Sequence, residues 1–183
     1  MAIELSDLQV VILETPYDCL SDPSARKIFA ETIELRIRGF SAAYPYGILP
    51  VDANDFVGNH LLICQKTADG PKPIATFRSL PIERCKMHLI KFPLVSVLEA
   101  CKADRHLLVM NAILDQCEKN KINIAYHSSW TIDPEVRKDR KLVEHIRELM
   151  MATVLFYCKE YNIKQNAGAA STRVKADQYF ISW

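Results

Sequence analysis

Residues 122–150 read INIAYHSSWTIDPEVRKDRKLVEHIRELM. In the first part Ile122, Ile124, Tyr126, Ser128, Trp130 and Ile132 alternate with Asn123, Ala125, His127, Ser129 and Thr131. A period of two predicts a strand over 122–133, apolar on one face and polar on the other. Pro134 ends it. Leu142, Ile146, Leu149, Thr153 and Phe156 then recur three and four apart, which predicts an amphipathic helix to about residue 162. That helix is expected to open with four cations, Arg137, Lys138, Arg140 and Lys141. Its first turn carries unpaired N–H groups and a partial positive charge, so each cation costs about 0.3–1 kcal/mol there. Either water screens that cost or an anion offsets it.

Working outward, residues 8–14 hold Val10, Val11, Ile12 and Leu13 in succession, the run of a buried strand. Ser21-Asp22-Pro23 signals a helix start, and Ile28, Phe29, Ile33, Ile37 and Phe40 give it an apolar stripe that Gly39 and the Tyr44-Pro45-Tyr46-Gly47 segment are expected to end. Residues 60–66 and 73–80 are two strand-like runs joined by a turn containing Asp69-Gly70-Pro71, which predicts an antiparallel pair. Residues 82–121 read as helical. After the long helix, 164–172 make a weak strand of small residues, and Ala176, Tyr179, Phe180 and Trp183 mark one face of a last helix. The pattern is a mixed α/β single domain over 1–183, with a helical insert before the central strand.

Composition narrows the function. With 183 residues, 49% of them apolar, the chain has enough apolar material for one core, which excludes disorder and fibrous repeats. A net charge of +1 offers no basic field, so no nucleic-acid partner is expected. The cysteines at 19, 64, 85, 101, 117 and 158 form no C-x-x-C pair and suit reduced thiols. Cys85 and His88 lack a second half for a zinc site, so no metal is expected. No signal-peptide pattern opens the chain, and the apolar run 149–158 is half the ~20 residues a membrane span needs. A cytoplasmic location follows as an expectation.

The passage Trp130-Thr-Ile-Asp-Pro-Glu-Val-Arg137, with Ile132, Pro134 and Arg137 in place, resembles the acyl-coenzyme A turn of the GNAT superfamily of N-acetyltransferases. Arg36, Phe40, Tyr46, Asp52, Asp55 and Arg78 reproduce the order of a residue set in one branch, the acyl-homoserine lactone (autoinducer) synthases and their N-acyl amino acid synthase relatives. The resemblance implies a mixed, mostly antiparallel central sheet flanked by helices. It implies transfer of an acyl group from acyl-CoA, or from the phosphopantetheine of an acyl carrier protein, to a primary amine such as an amino acid or polyamine. A short-chain acetyltransferase and a catalytically silent binding module are the alternatives. Donor contacts would come from Trp130, Thr131 and Ile132 through backbone, and from Arg137, Lys138, Arg140 and Lys141 through charge. Arg140 and Leu142 stand where the superfamily has glycines that admit a pyrophosphate, which favours a carrier protein. Tyr126 and Ser129 replace a Glu and an Arg that serve S-adenosylmethionine, so homoserine lactone is not the expected product.

Glu34, Asp52 and Asp55 are candidates for the acceptor's ammonium or are turn and cap residues. Arg36 and Arg78 either bind an acceptor carboxylate or brace those acids. His127 is the candidate base, against a purely structural role. Tyr179 is the candidate acid, with Phe180 competing for the matching position and core packing as the alternative. The insert either lines an acyl groove or covers the sheet. The family has two further strands after the last helix, so the chain is expected to lack them.

Overall fold

The computed structural model describes residues 3–44 and 51–169. Among the described residues five strands form one sheet in the order of the chain: β1 (Leu8–Leu13), β2 (Asn59–Thr67), β3 (Gly70–Pro81), β4 (Asn123–Ile132) and β5 (Ile163–Gly168). The first three pairings are antiparallel and β4–β5 is parallel. Between them lie α1 (Pro16–Cys19), α2 (Pro23–Ala43), α3 (Asn54–Val57), α4 (Ile82–Met87), α5 (Pro93–Ala100), α6 (Asp104–Lys119) and α7 (Arg140–Glu160). This is the mixed, mostly antiparallel α/β sheet expected from the sequence, and its arrangement is GNAT-like.

Alternation along β2 and β3 decides which helix covers which face. Leu61, Ile63 and Phe77 point to one side, where Leu142, Ile146, Met150 and Tyr157 of α7 close a buried core. Leu62 and Cys64 point to the other and meet Ile28 and Phe29 of α2. Further along that second face Leu80, Ile124 and Tyr126 pack under Phe92, just before α5, and under Cys85, Val95, Met110 and Cys117 of α4 to α6. The insert is therefore a covering layer. The β2–β3 connection is tighter than its sequence suggests: Thr67 pairs with Gly70, whose φ of 106° only glycine adopts without strain.

The alternation through β4 does not survive intact. Thr76 pairs with Thr131 and Arg78 with Ser128, so Phe77 alone stands opposite Ser129 and Trp130. Two residues against one make a β-bulge, with Ser129 at φ 62°. Every later side chain changes sides: Trp130 and Ile132 join the α7 core, whereas Ile124 and Tyr126 lie under the insert. The face expected to be polar is turned away from solvent, since Asn123, Ala125 and His127 are all buried.

Two helix boundaries also differ from expectation. α7 does not open with four cations. A 3-10 turn (Val136–Lys138) precedes it, and Asp139 caps it by accepting the Leu142 N–H at 3.1 Å, leaving only Arg140 and Lys141 in the first turn. α2 runs through Gly39 rather than stopping there. The glycine serves approach, not termination: a Cβ on it would overlap Thr131 Cγ2 and lie 3.3 Å from Arg137 Nη2. Gly39→Ala gains about 1 kcal/mol of helix propensity but overpacks this contact by about 1–3 kcal/mol. A net loss of up to about 2 kcal/mol is expected in urea unfolding, and Thr131→Ser, which removes the obstructing methyl, is expected to restore most of it in the double variant. The expected last helix, with Tyr179, Phe180 and Trp183, lies outside the described residues.

Candidate functional site

Four residues scattered through the first half of the sequence converge where α2, α3 and β3 meet. Arg36 on α2 is 2% exposed and Asp55 on α3 is fully buried. Asp55 Oδ1 accepts from Arg36 Nη1 and, at 2.6 Å, from Arg78 Nη1. Its Oδ2 accepts the Asp52 N–H at 2.8 Å. Arg78 Nη1 also reaches Asp52 Oδ1 at 2.9 Å, and Arg78 Nε donates to Ser128 Oγ at 3.1 Å, one residue before the bulge. Burying two guanidiniums is tolerable because charge-assisted bonds replace their water. Asp55 is the keystone of the cluster, and Asp52, whose side chain is 53% exposed, is its solvent-facing carboxylate. Arg36 and Arg78 pair with these acids, one of the two roles expected of them.

His60 belongs to the same cluster and was not foreseen. It is the second residue of β2, between Asn59 and Leu61, is fully buried, and its Nε2–H donates to the Asp55 carbonyl at 2.8 Å. Burial pushes its pKa down to about 4, with the Arg36 and Arg78 charges acting in the same direction. A polar residue directly before the apolar run 61–64 was the one signal for it in the sequence.

The remaining acceptor candidates lie apart. Phe40 stacks on Tyr44 with ring centroids 5.8 Å apart. Glu34 lines a cleft of about 600 Å³ between α2, the β2–β3 turn and the exit of β4, together with Glu31, Lys72 and an Arg38–Asp133 ion pair of 2.8 Å. Tyr46 lies outside the described residues, as does Tyr179.

Of the donor candidates, Thr131 and Ile132 are buried and Trp130 meets Phe77 edge-on, centroids 6.2 Å apart. Arg137 Nε donates to the Ile132 carbonyl at 2.8 Å, which holds the connection against the end of β4. Lys138 pairs with Glu135, and Arg140 and Lys141 are exposed at the start of α7.

His127 is on the opposite face of the sheet from the acid cluster. Its Nε2 lies 2.7 Å from Asn166 Oδ1 on β5, its ring is 5.3 Å from that of Phe77, and Cys158 Sγ of α7 is 4.0 Å away. Burial lowers its pKa, opposed by the Asn166 hydrogen bond. Asn166 and Cys158 carry no sequence signal toward His127, since their contact depends on the β4–α7–β5 crossover.

All six cysteines are free thiols, and among the described residues no group of three or more His, Cys, Asp or Glu side chains is placed to hold a metal ion. No helix among the described residues is long and apolar enough to cross a membrane. Comparison with protein-family models, with curated proteins and with solved structures gives no match for this chain.

Proposed function

We propose that the chain is an N-acyltransferase that moves an acyl group from a thioester, carried by an acyl carrier protein or coenzyme A, to a primary amine. The observation that carries this reading is the convergence of Arg36, Asp52, Asp55 and Arg78 into one hydrogen-bonded cluster tied through Ser128 to the bulge of β4. Acyl transfer needs a held amine, a polarised thioester carbonyl and the two brought together, and positioning supplies much of the acceleration. Asp52 offers a half-exposed carboxylate for the ammonium of an amino acid or polyamine-like acceptor. The bulge takes a residue out of the ladder, and a backbone N–H there is the group this reading assigns to the carbonyl oxygen where charge develops.

The start of α7 bears on the donor. Asp139 already satisfies the Leu142 N–H, so a pyrophosphate would compete with a carboxylate at this helix end. Arg140 and Lys141 instead present exposed side-chain charge, which suits the acidic surface of a carrier protein.

The test incubates the protein with long-chain acyl carrier protein, long-chain acyl-CoA and acetyl-CoA across a panel of amines, following thiol release and the acylated product by mass spectrometry. Release above the buffer rate with the carrier protein is expected. Arg140→Ala combined with Lys141→Ala is expected to raise KM for that donor about tenfold, less at high salt. Preference for acetyl-CoA would replace the donor assignment, and no release with any donor would leave the fold as a binding module.

A further inference from the structure

The charges of the acid cluster are layered. Innermost lies Asp55, fully buried between Arg36 and Arg78, which are themselves 2% and 4% exposed. Outermost lies Asp52, its side chain 53% exposed, with the Arg78 guanidinium behind it at 2.9 Å. Both arginines direct their charge inward, so the group that meets solvent is a carboxylate. Residues 44–51, which join α2 to Asp52, hold no Lys or Arg. Beside Asp52 the sheet supplies neutral hydroxyls. Ser128, half-buried and directly before the bulge, accepts from Arg78 Nε at 3.1 Å, so its own O–H can donate elsewhere. Tyr126 is two residues earlier on the same face, opposite Leu80 and diagonal to Arg78. Its hydroxyl stands in the fields of Arg78 and Asp52 and shares no hydrogen bond with a described side chain, and burial keeps it protonated.

We infer that the acceptor is a primary amine without a carboxylate, an amino alcohol or a diamine and not an amino acid: Asp52 holds its ammonium, and the hydroxyls of Ser128 and Tyr126 meet its second polar group. The inference rests on the acyltransferase reading and narrows its acceptor.

The charge of the site sets the discrimination. The carboxylate of an α-amino acid is two bonds from its nitrogen, so an amino acid held by its ammonium at Asp52 brings a second carboxylate beside the first. Like charges in such contact suppress binding. Among the described residues the two cations of the cluster are buried and already paired with Asp52 and Asp55, so neither turns outward to offset the repulsion. An amine that lacks the carboxylate keeps the ammonium contact and escapes the repulsion. Its hydroxyl or second amine also supplies the Tyr126 hydroxyl with a partner, and a site built around such a bond rejects ligands that cannot make it.

The experiment pairs each amino acid with the amine it gives on losing carbon dioxide: serine with ethanolamine, and ornithine with 1,4-diaminobutane. Binding to the full chain is measured by isothermal titration without any donor, and thiol release is then followed with each donor thioester. Ethanolamine and 1,4-diaminobutane are expected to bind, and to react in kcat/KM, about tenfold or more better than serine and ornithine. In Asp52→Asn both amines are expected to bind about tenfold more weakly, and the preference over the amino acids to shrink towards one, because the repelling charge has gone. Tyr126→Phe is expected to raise Kd for ethanolamine about two- to tenfold and to leave ethylamine unchanged, a split that a packing defect would not produce. Equal or tighter binding of the amino acids overturns the inference, and thiol release with them leaves the acyltransferase reading standing. A preference that survives Asp52→Asn overturns the role of Asp52. Discrimination within the pairs but no thiol release from any donor overturns the acyltransferase reading and keeps the amine site. Binding of none of the four amines, with no release, overturns both.

Discussion

Asp55→Ala is expected to remove about 3–5 kcal/mol of stability, enough to unfold much of the protein, since domains are stable by only about 5–15 kcal/mol. The reason is what it leaves behind. Asp55 is fully buried and accepts from both Arg36 and Arg78, which are themselves buried, so truncation removes the carboxylate the two guanidiniums share and leaves Arg78 only Asp52 and Ser128. It also frees the Asp52 N–H that its other oxygen accepts. Asp52→Ala is the contrast, because that carboxylate is 53% exposed and its partner Arg78 keeps Asp55. A stability loss under about 1 kcal/mol is expected for it, together with weaker acceptor binding if the acyltransferase reading holds. Urea unfolding followed by circular dichroism separates the two variants. An Asp55→Ala protein as stable as Asp52→Ala would mean that the guanidiniums reach water and that the cluster is not closed.

The second large effect is an acid sensitivity from His60. In the unfolded chain its imidazole titrates near 6.5, and in the folded protein burial holds it down to about 4. Between those values the unfolded state binds more protons, so stability falls as pH is lowered from 6.5 towards 4 and the loss levels off below. A gap of that size corresponds to about 3 kcal/mol. Protonation would add a charge beside Arg36 and Arg78 and a second N–H, on Nδ1, for which the described residues provide no acceptor. His127 is shifted in the same direction, so the informative quantity is the difference between the wild type and His60→Asn. Urea midpoints at pH 7 and pH 4.5 should show a smaller drop for the variant. Equal drops would place the acid sensitivity elsewhere.

Much of the fold was legible because the relevant patterns are local. The runs at 8–14, 60–66 and 73–80, the helical spacing of 82–121, and the strand-to-helix passage from 122 onward all correspond to elements. What escaped the sequence are places where one segment answers to another. The alternation of β4 is unbroken in the sequence, yet pairing with β3 inserts a bulge at Ser129 and Trp130 that exchanges its faces. Gly39 looks like a stop until Thr131 is packed against it. Asp139 reads as one more charge in a charged run, although it caps α7 and displaces Arg137 and Lys138 from the helix. At the candidate site the convergence of Arg36, Asp52, Asp55 and Arg78 was foreshadowed by their order along the chain. His60 and the His127–Asn166 pair depend on register and crossover, which no single stretch encodes.

The order of strands across the sheet, identical to their order along the chain, bears on how the molecule assembles as it is synthesised. Each new strand docks on the edge left by the one before it, and none has to be threaded between two already paired. β2 and β3, joined by a two-residue turn, provide a fast local nucleus, and β4 follows once the insert has emerged. Only β5 must wait for a whole helix, α7, to cross the sheet before it can pair in parallel. A nascent chain halted before residue 163 would therefore hold a four-stranded sheet with β4 as its open edge, and the His127–Asn166 contact would be among the last to form.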